Sequence, residues 1–64
     1  MTEYLIKVEE GFDISKLTSI GELIYRASLK NIIVLKTNMS LNELLNIIGV
    51  IEVEKSKMFK VGFL

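Results

Sequence analysis

The spacing of apolar residues along this chain switches between two and three-to-four, and each switch marks an element. Tyr4, Ile6 and Val8 alternate with Lys7 and Glu9, the period of a half-buried strand over residues 4–9, with Leu5 as the exception. Gly11 ends that run, and Asp13 is placed to cap a helix whose first apolar positions are Ile14 and Leu17. Ile32, Ile33, Val34 and Leu35 are consecutive and mostly β-branched, which predicts a strand over 31–37 with both faces at least partly covered. Ser40 and Glu43 make an S-x-x-E capping box, and Leu41, Leu44, Leu45 and Ile48 follow as one helical stripe that reads as core. Gly49 sits where a left-handed helix stop belongs. Val50 to Glu54 then resumes alternation, with Ile51 and Val53 on one face and Val50, Glu52 and Glu54 on the other.

Residues 13–37 admit two readings. In one, a single helix runs to Leu29 through Leu17, Ile20, Ile24 and Ala27, with Gly21 costing about 1 kcal/mol, and the chain has three strands. In the other, the helix stops near Gly21 and residues 22–28 form a strand with Leu23, Tyr25 and Ala27 on one face, giving βαββαβ. The second is favoured because an antiparallel hairpin closes a small sheet locally, without a second long crossover. Leu29-Lys30 lacks the Asn-Gly chemistry of a tight two-residue turn, so the connection is expected to be looser and to use Asn31. The class is then α+β: a small antiparallel sheet with two helices on one face, the other face left open as a partner surface. The domain is assigned to residues 1–57. Residues 58–64, with Met58, Phe59, Val61, Phe63 and Leu64, form an apolar extended tail that follows the last strand.

Composition narrows the function. Sixty-four residues make one domain, and a chain of this size buries only about 60% of its unfolded surface, so its stability is marginal. Histidine and cysteine are both absent, which removes disulfides, the usual zinc ligands and the nucleophile–histidine pairs of hydrolases; neither an enzyme, a metal site nor a cofactor is expected. Eight basic and eight acidic residues are interspersed, unlike the clustered positive charge of a nucleic-acid binder. No apolar run approaches the roughly 18 residues of a membrane span. The start Met-Thr-Glu-Tyr lacks the charge pattern of a secretory signal, so the chain reads as made in the cytoplasm or as a processed piece.

The stretch Leu44 to Lys55, L-L-N-I-I-G-V-I-E-V-E-K, resembles the closing segment of the propeptide-type inhibitors of subtilisin-like serine proteases, and Tyr4 to Val8 resembles their opening strand. The resemblance implies a ferredoxin-like βαββαβ fold and a role as inhibitor and intramolecular folding chaperone, with no catalytic residues of its own. It also implies that the open sheet face packs on two parallel surface helices of the protease, with acidic side chains capping the helix N-termini. Glu54 matches the acidic position after the strand, and Glu52 lies on the same face. The tail would run product-like into the active-site cleft: Met58 to Leu64 span about 23 Å when extended. Leu64 would enter the first specificity pocket with Phe63, Gly62 and Val61 behind it, Gly62 leaving backbone free for strand addition. The chain departs from the family in its shorter hairpin and in lacking an aspartate after the acidic position.

Other readings stand beside this one. Glu52 and Glu54 also fit an ordinary solvated strand face near Lys55 and Lys57, and the tail also fits a fifth strand of its own sheet. A different class is a small ferredoxin-like regulatory or assembly module that forms a homodimer through its sheet, the tail completing the neighbour's sheet.

Overall fold

Alternation and capping translate into four strands and two short helices. The computed structural model describes residues 1–56, which form β1 (Thr2–Val8), α1 (Ser15–Thr18), β2 (Gly21–Ala27), a 3-10 turn (Ser28–Lys30), β3 (Ile32–Thr37), α2 (Leu41–Leu45) and β4 (Val50–Lys55). The strands make one open sheet in the order β2-β3-β1-β4, and every neighbouring pair is antiparallel. The result is an α+β fold of four strands and two short helices. The three-strand alternative for residues 13–37 is therefore excluded, since Gly21–Ala27 is a strand paired with β3.

Cross-strand partners share a face, so the register assigns the two sides of the sheet. On one side Tyr4, Ile6 and Val8 of β1, Ile33 and Leu35 of β3 and Val53 of β4 join Leu17 of α1 and Leu44 of α2 in a single buried cluster. Each large aliphatic side chain so buried contributes about 1.5–3 kcal/mol. Both helices cover this side and leave the other uncovered by any described element. Thr37 is a buried polar group on the same side, and it is satisfied: its hydroxyl donates to the Ile20 carbonyl at 2.7 Å and accepts from the Met39 amide at 3.2 Å.

The helices are shorter than their apolar spacing suggests. α1 is one turn, and its N-cap is Ile14, so Asp13 stands one residue earlier than expected. Its carboxylate still satisfies the helix start, accepting from the Ser15 amide at 3.0 Å and the Ser15 hydroxyl at 2.8 Å in an Asx-type turn. The capping box of α2 forms as read, with the Ser40 hydroxyl accepting from the Glu43 amide and the Glu43 carboxylate accepting from the Ser40 amide. The four-residue stripe does not hold, because α2 stops at Leu45. Leu44 is buried and Leu41 packs against the core, whereas Leu45 is exposed and Ile48 is 83% exposed; Ile47 takes the core position instead.

Two bulges correct the face assignments. In β2, Leu23 pairs with Leu35 but Tyr25 pairs with Val34, so Ile24 is an extra residue and Leu23 lies on the opposite face from Tyr25 and Ala27. In β4, Val53 pairs with Ile6 and Val50 with Val8, so Val50 joins Val53 on the helix side and Ile51 is the extra residue. Both bulges fall on edge strands, where they interrupt the free ladder. Gly21 starts β2 because nothing larger fits: a Cβ there would lie 2.5 Å from the Lys36 carbonyl oxygen and 2.9 Å from Thr37 Cβ. Asn31 carries the β2–β3 connection at φ 55°, the left-handed turn conformation that asparagine tolerates, as the sequence predicts.

Candidate functional site

The uncovered face of the sheet is built from the residues that break or oppose the core alternation. Reading across the strands in the order β2, β3, β1, β4, one row is Tyr25, Val34, Leu5 and Glu54, and the next is Ala27, Ile32, Lys7 and Glu52. A third, shorter row is Glu22, Lys36 and Glu3. The first two rows are thus apolar over β2 and β3 and acidic on β4, with Leu5 and Lys7 between, while the third row is charged throughout.

The apolar part is a shallow depression of about 550 Å³, floored by Leu5, Ile32 and Val34 and walled by Tyr25, Ala27 and Leu29, with Lys30 at its rim; Arg26 borders it too, although its pairing with Ile33 assigns it to the helix side. Val34 is only 1% exposed although neither described helix lies over it. Tyr25 is 55% exposed, and Leu29 on the 3-10 turn is fully exposed. Large apolar side chains gathered on one face in this way are the ordinary signature of a contact surface.

Glu52 and Glu54 are both exposed on the uncovered face, as expected from the sequence. Two positions apart on one strand, their Cα atoms lie about 7 Å apart. Lys7 is the cross-strand partner of Glu52, and Leu5 that of Glu54. The pair can therefore present two carboxylates in parallel beside an apolar floor. Ser56, whose amide donates to the Glu3 carbonyl at 2.9 Å, is the last described residue, so the candidate tail residues Val61, Gly62, Phe63 and Leu64 lie outside the described residues.

Leu29, Arg26 and Lys30 were not legible as parts of this surface. Leu5 and Val34 did leave a signal: Leu5 is the apolar residue out of phase in β1, and Val34 is the odd member of the apolar run in β3.

A second, smaller hollow of about 220 Å³ lies between the loop of Glu9, Glu10, Gly11 and Asp13 and the Gly49 turn. Phe12 forms its wall, with Lys16 Nζ 5.7 Å from the ring centroid. Among the described residues, no group of three or more histidine, cysteine or carboxylate side chains could hold a metal ion, and no helix is long and apolar enough to cross a membrane. No protein-family model, curated protein or solved structure matches this chain.

Proposed function

We propose that this chain is a short ferredoxin-like domain acting as a propeptide or propeptide-like inhibitor, and folding chaperone, of a subtilisin-like serine protease. The observation that carries the reading is the uncovered sheet face, apolar in its middle and bearing Glu52 and Glu54 side by side at its β4 edge. The element order and the strand order β4-β1-β3-β2 support the ferredoxin-like assignment. In this reading the chain performs no chemistry. The apolar floor around Leu5 and Val34 packs on a pair of parallel helices of the enzyme. Glu52 and Glu54 accept hydrogen bonds from the free amides at those helices' N-termini, where the helix dipole favours negative charge. The segment after β4 enters the cleft as a product-like strand, with Leu64 in the first specificity pocket and Val61, Gly62 and Phe63 behind it. Because the protease helices are held in place by a surface already folded, the same contacts would template the enzyme's own folding.

The test is a titration of the full chain against a panel of subtilisin-type proteases, beside a version ending at Lys57 and the double variant Glu52→Gln/Glu54→Gln. Tight inhibition by the full chain, lost on truncation and weakened by the double variant, is the expected result. A full chain that inhibits none of the panel would remove the reading.

A further inference from the structure

We infer that, in the free chain, the segment after β4, residues 57–64, crosses the uncovered sheet face diagonally from Ser56 to the apolar depression and occupies it until a partner displaces it. The inference rests on how burial is distributed over the face and not on the protease reading. Of the residues that the register assigns to this face, Val34 at its centre is 1% exposed and Ser56 at its β4 corner is 7% exposed. Ser56 is placed there by its amide, which donates to the Glu3 carbonyl and carries the β1–β4 pairing one residue past Tyr4 and Lys55. Neither described helix lies on that side, and β4 is an edge strand with a neighbour on one flank only. A serine at the end of an edge strand is ordinarily wet, so its burial calls for a cover.

Burial continues in a line between these two residues and beyond them. Leu5 is half-buried between Ser56 and Val34, and Ile32 and Ala27 are half-buried past Val34, where the depression lies. Off that line Lys7, Glu52 and Glu54 are exposed on one flank, and Glu22 is exposed at the opposite corner. The line begins at the last described residue, which selects the chain's own continuation as the occupant. Its reach is sufficient. From Ser56 to Ile32 is two strand spacings across and four residues along, about 17 Å, and residues 57–64 extend to about 26 Å.

The pattern of the segment agrees. Phe59, Val61 and Phe63 alternate with Lys60 and Gly62, the period of an extended chain with one apolar side. Laid along the diagonal, Phe59 comes beside Leu5 and Val34, Val61 toward Ile32 and Phe63 into the depression, while Lys60 and Gly62 face water. Charge agrees as well. The rows place the carboxylates of Glu3, Glu22, Glu52 and Glu54 on this face against the ammonium groups of Lys7 and Lys36, and the segment brings Lys57 and Lys60 with no acidic side chain. The face is then gated by its own chain, and a partner that uses it must first lift the segment away.

NMR of the full chain tests the arrangement. Nuclear Overhauser contacts are expected from the Phe59 and Phe63 rings to the methyl groups of Leu5, Val34 and Ile32. In a mixture of labelled and unlabelled chains, an isotope-filtered experiment that reads only contacts between copies should show none of them. Val61→Asp sets a carboxylate over the apolar floor on a face already rich in acids, and should abolish the contacts and shift the Val34 methyl resonances. Lys60→Ser, on the water side of the segment, should keep both as they are. Each substitution leaves the helix-side cluster unchanged, and circular dichroism checks that each variant folds.

A wild-type chain without ring contacts to this face overturns the inference. So do ring contacts to the outer edge of β4, which would make the segment a fifth strand, or contacts seen only between copies, which would make the occupant a neighbour's segment. Equal responses to the two substitutions overturn it too. A chain that inhibits a protease and shows no such contacts would leave the inhibitor reading standing alone, whereas a covered face in a chain that inhibits none would do the reverse.

Discussion

The two faces of this sheet come from the same strands and are built to different rules. On the helix side Ile6, Leu17, Leu35 and Leu44 are completely shielded, and every cross-strand pair in the middle of the sheet is aliphatic or aromatic. On the other side the pairs are mixed: Leu5 with Val34, Lys7 with Ile32, Glu3 with Lys36. Only one of these faces is closed by the chain's own described residues. The comparison separates stability from association, because the helix side supplies the closed core that a domain this small needs. The other side keeps apolar area that pays back only when something covers it. Val34 is the exception that tests the division, being on the uncovered side yet 1% exposed.

The largest expected effect breaks the helix side. Leu44→Ala removes a fully buried side chain from the one helix that packs across β4, and should lower unfolding free energy by about 2–5 kcal/mol. A domain of this size has little more than about 5 kcal/mol in total, so urea melts should find it largely unfolded or nearly so. Leu29→Ser, at a fully exposed position, should change the same melts by no more than about 0.5 kcal/mol. Equal losses from the two substitutions would erase the distinction between the faces.

Val34→Ala sharpens the comparison at its exception. Two buried methyl groups are removed, which should cost about 1–2 kcal/mol. Val34 belongs to the far side of the sheet from the buried cluster, so its loss should add to that of a helix-side substitution such as Ile33→Val to within about 0.5 kcal/mol. A strong coupling in urea-melt double cycles would mean that the two faces share one packing unit.

How far all this could be read from the sequence follows from which signals are local. The capping box at Ser40 and Glu43, the β-branched run in β3 and the turn at Asn31 are decided by residues close in the chain, and each element stands where its pattern put it. The choice of a strand for residues 22–28 rested on a physical argument about closing a small sheet, and β2, one residue earlier at Gly21–Ala27, bears it out. What could not be read was register. One inserted residue reverses every later side chain in a strand, so the bulges at Ile24 and Ile51 sent Leu23 and Val50 to faces that simple alternation denied them. The helix stripe failed for a related reason: Ile48 keeps helical spacing with Leu44, but the chain leaves the helix at Asn46 to reach the Gly49 turn. Of the candidate surface, Glu52 and Glu54 were legible because polar residues at alternate positions of a strand point the same way. The depression beside them was not, since it draws on β1, β2, β3 and the 3-10 turn at once.

A smaller effect concerns how α2 is held over its face. Ser40→Ala removes the acceptor of the Glu43 amide, 3.2 Å away, and leaves the reciprocal carboxylate contact to the Ser40 backbone amide in place. The expected cost is about 1 kcal/mol. Ser40→Asp keeps an acceptor at the cap and should recover most of the loss in thermal or urea melts, which a merely steric role for the serine would not produce.

The smallest effect lies at α1, the other cover of the same face, and it is read through pH. The Ser15 hydroxyl donates to the Asp13 carboxylate, the Ser15 amide donates to it as well and Lys16 adds an attractive charge; together these outweigh desolvation and hold the Asp13 carboxyl below its ordinary value of 3.8. A carboxyl that is more acidic in the folded than in the unfolded chain binds its proton first in the unfolded state. Its contribution to stability is therefore complete above the unfolded value and is lost as pH falls through the folded one. The stability difference between wild type and Asp13→Asn should accordingly be constant near neutrality and shrink below about pH 4. Ser15→Ala removes the largest of the three causes while leaving the backbone donor, so it should move the Asp13 titration, followed by NMR of its carboxyl carbon, part of the way back up. An Asp13 titration indifferent to Ser15→Ala would mean that the turn is held by its backbone alone, and that the one-turn helix covers the core without help from the side chain that precedes it.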